Sequence, residues 1–205
     1  MRQLLSFTSL VVLAALSGAT GALASPPTLP APRLDSPPGS GAAEQVAYLA
    51  GGCYWGVESV FEHVRGVHAA TSGNAAGGLE TVKLAFDPSV VSYARLLQIF
   101  FAVAHDPTQR DRQGPDIGPQ YRSEILTADA AQQRVASAYV AQLDAAGVFA
   151  APITTRVAPV RGFRPASEDQ QDYARRHPRD GYIVHVDAPK VAQLKALFPG
   201  DYRDD

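Results

Sequence analysis

Val46-Ala47-Tyr48-Leu49-Ala50-Gly51-Gly52-Cys53-Tyr54-Trp55-Gly56-Val57 is the stretch on which the reading of this chain turns. An apolar run that stops at a glycine pair marks the end of a buried strand. Val57, Val60, Phe61 and Val64 then recur at helical spacing, and Gly66 closes that helix. The strand therefore becomes a helix at Cys53, the only cysteine among the 205 residues. One thiol cannot form an internal disulfide. At a helix start it meets free backbone N–H groups and the positive end of the macrodipole, so the expected form is the thiolate. A free cysteine is more often a packed core residue. A packed cysteine, however, needs neither glycines on both sides nor a tryptophan two residues on.

Working outward, Val67 to Ser72 reads as a second strand, and Ser72-Gly73-Asn74 with Gly77-Gly78 as a loop. Val82, Leu84 and Phe86 alternate on one face of a strand over Glu80 to Phe86, which stops at Asp87-Pro88. Tyr93 to Val103 is apolar and helical, with Ser92 as N-cap. His105 to Gln120 is irregular, and a loop of that length inside a compact domain is usually functional. Tyr121 to Leu126 returns to a strand, and Thr127 or Asp129 caps a helix to Ala146. Ile153 to Val160 forms a strand, Ser167 opens a short helix, Tyr182 to Val186 reads as a last strand, and Pro189 to Phe198 as a last helix. This order predicts an α+β fold: a two-layer αβ sandwich with a ferredoxin-like core and irregular active-site loops.

The flanks set an expected address. Arg2, the apolar run Leu10–Leu16 and Ala22-Leu23-Ala24 give residues 1–24 the form of a secretory signal peptide, with export to the periplasm or medium and no stable membrane insertion after processing. Residues 25–43, rich in Pro, Gly and Ala, read as a flexible linker, and residues 44–205 as one catalytic domain. The net charge is −2, and the basic clusters around Arg161–Arg164 and Arg175–Arg179 lack interleaved aromatics, so no nucleic-acid partner is expected. With one cysteine and no paired histidines, a structural zinc is not expected either, and no cofactor is called for. An exported lone thiol must be shielded by burial or kept reduced from outside.

Gly52-Cys53-Tyr54-Trp55-Gly56-Val57-Glu58 resembles the active-site motif of the peptide methionine sulfoxide reductase A family. The resemblance extends through Tyr93–Phe101 with His105-Asp106-Pro107-Thr108, and through Arg112-Gln113-Gly114-Pro115-Asp116-Ile117-Gly118-Pro119-Gln120-Tyr121-Arg122-Ser123. It ends more weakly in Ser167–Tyr173. It implies that Cys53 attacks the sulfur of methionine S-sulfoxide, free or in oxidised proteins, and that Glu80, kept protonated in an apolar pocket, serves the sulfoxide oxygen. It further implies that Tyr54 and Trp55 hold the S-methyl group and that Asp116 and Tyr121 complete the site. Without those motifs, Glu80 reads as a surface charge, Asp116 as a turn residue, and Tyr121 and Trp55 as core. The product on the protein would be a cysteine sulfenic acid. Lacking a second cysteine, the chain would need an external thiol such as a thioredoxin-like protein.

Two departures from the family stand out. The segment between Ser72 and Glu80 is short: the family's second sulfoxide-binding tyrosine has no counterpart there, and Gly78 stands where the family has a histidine. The hydroxyl of Tyr54, where the family more often has phenylalanine, is a candidate substitute. Gln170 stands where the third motif usually has histidine. These departures motivate an alternative, a weakened or inactive member that binds sulfoxide or apolar peptides. A thiol peroxidase is a third class, but the peroxidase's paired Thr and Arg are missing.

Overall fold

The computed structural model describes residues 29–36 and 44–204. The expected signal peptide lies outside the described residues, and no helix among the described residues is long and apolar enough to cross a membrane. Strand β1 (Gln45–Gly51) occupies the centre of a sheet, its alternate residues Ala47 and Leu49 fully buried. It passes through Gly52 and Cys53 into α1 (Tyr54–Glu62). Then follow β2 (Val67–Ala75), β3 (Leu79–Phe86), α2 (Tyr93–Ile99) with a π-helical extension over Phe100–Ala104, and the short hairpin β4 (Arg112–Gln113) and β5 (Asp116–Ile117). The chain continues with β6 (Ser123–Thr127), α3 (Ala130–Ala146), β7 (Arg156–Pro159), β8 (Arg164–Pro165), α4 (Tyr173–Arg176) and α5 (Ala188–Leu197).

The sheet order is β7-β6-β1-β3-β2-β8. Its inner four strands, β6-β1-β3-β2, are all antiparallel to their neighbours, with helical crossovers from β1 to β2 and from β3 to β6. That is the expected ferredoxin-like core. The main core joins Leu49, Val82 and Leu84 of the sheet to Val60 and Phe61 of α1, Leu96 and Ile99 of α2, and Tyr139 and Leu143 of α3. Helix ends follow the sequence: Ser92 Oγ accepts from the Arg95 amide, Asp129 Oδ1 accepts from the Gln132 amide, and Gly147 closes α3 in the left-handed region at φ 59°.

Four expectations change. Ser72–Asn74 is not a loop: β2 runs to Ala75, and the reversal into β3 is confined to Ala76, Gly77 and Gly78, with both glycines at positive φ. Tyr121 is not in a strand but closes a 3₁₀ turn over Pro119–Tyr121, and β6 starts at Ser123. The stretch Ile153–Val160 forms strand only over Arg156–Pro159, parallel to β6.

The fourth change is the largest. Tyr182–Val186 is not a strand: Ile183–Asp187 is a π-helical turn leading into α5. Ile183 and Asp187 are buried, while Val184 and His185 are exposed. That is helical periodicity hidden in a β-branched run.

Within the Pro-rich stretch, residues 29–36 lie along α2 and α3. Leu29 is buried in the main core and its carbonyl accepts from Gln98 Nε2 at 2.9 Å. The Pro30 carbonyl accepts from Tyr139 Oη at 3.0 Å, and Gln142 bonds both the Ala31 carbonyl and the Arg33 amide.

Candidate active site

Cys53 is the N-cap residue of α1, at the carboxyl end of the central strand. Two glycines let the chain make this corner. Gly52 has φ 96°, and a Cβ there would stand 2.5 Å from Cβ of Gln113. At Gly56, a Cβ would lie 2.1 Å from Asp187 Oδ1, so α1 and the start of α5 meet backbone to carboxylate. Glu80, second residue of β3, points across the hairpin to this corner: its Oε2 accepts from the Tyr54 amide at 3.0 Å. One free N–H of the helix start is thus taken by a carboxyl.

The electrostatics differ from the local expectation. Cys53 is not held as thiolate. Burial pushes its pKa up to about 12, helped by the charge of Glu80 and, more weakly, of Asp187. The Trp55 amide and the Tyr182 hydroxyl pull the other way without prevailing. Glu80 is itself raised by burial and by Asp116, against the lowering bond from the Tyr54 amide. The charge of Glu80 opposes ionisation of the thiol, and burial pushes both groups toward their neutral forms.

The other sequence-predicted residues fall into place around this pair. Asp116, on β5, accepts a 2.5 Å hydrogen bond from Tyr182 Oη. Tyr121 feels the charges of Glu80, Asp116 and Cys53, and its pKa is raised by burial first and then by Glu80. Trp55 lies flat on Tyr173, with ring centroids 3.8 Å apart and planes at 8°, and meets the edge of Tyr182 at 6.0 Å. The Tyr54 hydroxyl points away toward Gln170 Oε1, at 3.5 Å. The two departures at positions 54 and 170 thus face each other, and Tyr54 is not the group beside the thiol.

That group is Tyr182, which sequence reading missed. Its hydroxyl hydrogen-bonds the Cys53 sulfur and carries one proton to share between Asp116 and that sulfur. Burial, then the charge of Cys53 and the bond to Asp116, keep the phenol neutral. Tyr173 was also missed as a ring partner, although it ends the third motif. The usable signal was an aromatic pair, Tyr173 and Tyr182, inside a segment otherwise poor in core residues. Among the described residues, no group of three or more His, Cys, Asp or Glu side chains is arranged to hold a metal ion.

Comparison with known proteins shows the family. Residues 45–200 match the sequence profile described as peptide methionine sulfoxide reductase. The peptide methionine sulfoxide reductase MsrA 2 of Mesorhizobium japonicum is 43% identical over 176 residues, covering 78% of this chain and 90% of that protein. MsrA of Thermus thermophilus is 41% identical over 171 residues, covering 76% and 96%. Among solved structures, methionine sulfoxide reductase A of Corynebacterium diphtheriae superposes with a TM-score of 0.58 at 32% identity, covering 66% of this chain and 76% of that one. Reduced Mxr1 of Saccharomyces cerevisiae gives 0.61 at 26%, covering 68% and 88%. The chain belongs to the peptide methionine sulfoxide reductase family.

Proposed function

We propose that this chain reduces methionine S-sulfoxide to methionine, with Cys53 as nucleophile and Glu80 as acid. The observation that carries the reading is the Cys53–Glu80 pair at the start of α1: a half-buried thiol and a half-buried carboxyl, both pushed toward their neutral forms, with the Tyr54 amide donating to Glu80 and Trp55 next along the helix.

The chemistry follows from those protonation states. A sulfoxide oxygen is a poor leaving group until it is protonated. Neutral Glu80 gives it a proton, and the carboxylate left behind can take the thiol proton, so the pair's proton count is restored as the Cys53 sulfur attacks. The S–O bond of the sulfoxide breaks and the oxygen ends on Cys53 as a sulfenic acid, leaving a thioether: the substrate sulfur is reduced and the cysteine oxidised. Tyr121 supplies a further O–H at the oxygen. Tyr182, swung from Asp116 toward the sulfur, steadies the thiolate as it forms. Trp55 and the ring of Tyr54 offer the apolar faces for the S-methyl group.

Two equivalents of an external thiol, supplied by a thioredoxin-like protein or a small thiol, then return Cys53 to the thiol with release of water. Oxidised proteins or free methionine sulfoxide are the substrates. The leader-like sequence of residues 1–24 supports action after export.

The test is turnover of the S and R epimers of a methionine sulfoxide peptide with excess dithiothreitol. Turnover of the S epimer alone, absent in Cys53→Ser, is expected. A well-folded, fully reduced protein that turns over neither epimer overturns the reductase reading and leaves the binding one.

A further inference from the structure

Trp55 has one side covered by Tyr173, and Tyr173 belongs to a segment with little regular structure. What holds that ring in place is therefore a question separate from the chemistry. Just upstream, Gln171 is fastened to the edge of β2: its Oε1 accepts from the Ser72 amide at 2.9 Å, and its Nε2 donates to the carbonyls of Ser72 at 2.9 Å and Ala166 at 3.1 Å. Between this anchor and Tyr173 stands only Asp172, in the left-handed region at φ 52°, ψ 28°. A non-glycine residue stays there only when its side chain or surroundings hold it.

The Glu58 carboxyl accepts from the Asp172 amide, the Arg176 amide donates to the Asp172 carbonyl at 2.9 Å, and two contacts hold the Asp172 carboxyl. Arg175 Nη2 reaches Asp172 Oδ1 at 2.8 Å, but both side chains are well exposed, 56% and 39%, and such pairs contribute little. The other contact is a carboxyl–carboxylate hydrogen bond from Glu62, in the last turn of α1. Glu62 lies one turn beyond Glu58, whose Oε1 accepts from the same Ser72 amide at 3.1 Å. Helix α1 therefore carries Trp55 at one end and the hold on Tyr173's neighbour at the other.

We propose that the Glu62–Asp172 carboxyl pair is a positioning device which keeps Tyr173 flat on Trp55, so that the substrate pocket has its second wall only while the pair shares a proton. The inference rests on the reading of Trp55 as a wall of that pocket.

The surroundings fix the direction of the effect. Burial raises Glu62 to about 8, assisted by the bond to Asp172 and the charges of Glu58 and Asp172, against Arg175. Asp172 is lowered, first by the bond from Glu62 and then by Arg175 and Arg176. The proton thus sits on Glu62. Glu58, buried and raised to about 7, faces the pair from its own helix. The Arg203 guanidinium of the C-terminal tail donates to the Glu62 carbonyl at 2.7 Å, and His63 stands next along α1. A carboxyl raised above its ordinary value keeps its contact below that pKa and loses it as pH rises through it. Above about pH 8, two carboxylates face each other and the hold on Asp172 becomes a repulsion.

Trp55 is the only tryptophan in the chain, so its emission reports the stack directly. The experiment follows emission from about pH 6 to about pH 9.5 in full-length Cys53→Ser, which removes titration of the neighbouring thiol. A transition centred near pH 8 is expected. It should vanish in Cys53→Ser/Glu62→Gln, whose amide donates to Asp172 at every pH, and persist in Cys53→Ser/Glu58→Gln. With Asp172→Asn in the Cys53→Ser background, the transition should be lost as well, because ionised Glu62 then meets an amide that can donate to it and no second carboxylate. This variant serves if Glu62→Gln fails to fold.

In chains with Cys53 intact, KM for the sulfoxide peptide should rise about threefold or more across the same interval, and stay level in Glu62→Gln. Emission that is flat with pH in Cys53→Ser, or an unmoved transition in both Glu62→Gln and Asp172→Asn, overturns the proposal. The emission arm needs no turnover, so a failure of the reductase reading is told apart from a failure of this one.

Discussion

The site has two halves built by opposite means. One half, Cys53 with Glu80, stands where a central strand meets a helix, built on β1, β3 and α1. The other half, Tyr173 and Tyr182, rides on a C-terminal arm made of one short helix, a π-helical turn and loops. The arm is tied to the first half by side chains: Tyr173 stacked on Trp55, Gln170 near the Tyr54 hydroxyl, Asp172 bonded to Glu62, Gln171 on Ser72, Tyr182 at the Cys53 sulfur, and Asp187 close to Gly56. The proposed thiol and acid sit on α1 and β3, and Trp55 on α1 is covered by a ring that the arm supplies.

The difference also explains what the sequence made visible. The strand–glycine–cysteine–helix corner was readable because each local signal agreed: apolar run, glycine pair, helical spacing. The ferredoxin-like core followed from the order of strands and helices, whereas Glu80 came only from the resemblance, since a carboxyl after a glycine turn reads locally as a surface charge. Tyr182 was not readable. Ile183-Val184-His185-Val186 is β-branched and alternates well enough to pass for a strand, and only its burial at Ile183 and Asp187 shows the helical period. The protonation of Cys53 was misjudged for a related reason. Helix N–H groups favour thiolate locally, but burial and a carboxyl from another strand, neither visible in the local sequence, outweigh them.

The largest expected effect strikes the rigid half. Glu80→Gln keeps the shape and the bond from the Tyr54 amide but has no proton to give. Turnover with the S epimer should fall by about 100-fold, the lower end of what a general acid contributes. The pH profile sharpens the test. Glu80 is raised above its ordinary value, so it is the active acid below that raised pKa and loses the proton above it. The alkaline fall in kcat/KM should therefore disappear in Glu80→Gln. An unchanged alkaline limb would move the acid role to another group.

A smaller effect is expected on the arm. Tyr182→Phe keeps the ring against Trp55 and removes the hydroxyl between Asp116 and the thiol. Losing one hydrogen bond of this kind costs about 1.4 kcal/mol, or roughly tenfold in rate. Because that hydroxyl lowers the Cys53 pKa, alkylation of Cys53 by iodoacetamide at fixed pH should also slow. A normal alkylation rate with slowed turnover would place Tyr182 on the substrate rather than on the thiol.

The smallest effect separates stability from the site altogether. Asp35, in the segment 29–36, places Oδ1 3.1 Å from the Ala94 amide and so adds a second carboxyl or hydroxyl acceptor, beside Ser92, to the start of α2. This contact serves the helix layer that backs β1 and touches no residue of the arm. Asp35→Ala should cost about 1 kcal/mol, the usual worth of a helix-start acceptor, and lower Tm by about 2–4 °C for a domain of this size. KM, kcat and the Trp55 emission should not move. If KM rises together with the fall in Tm, the side-chain ties between the two halves carry strain from one to the other, because loosening the layer behind β1 would then be felt at Tyr173. If Tm alone changes, the halves are mechanically separate, and the stack on Trp55 can be altered without disturbing the corner that holds the thiol.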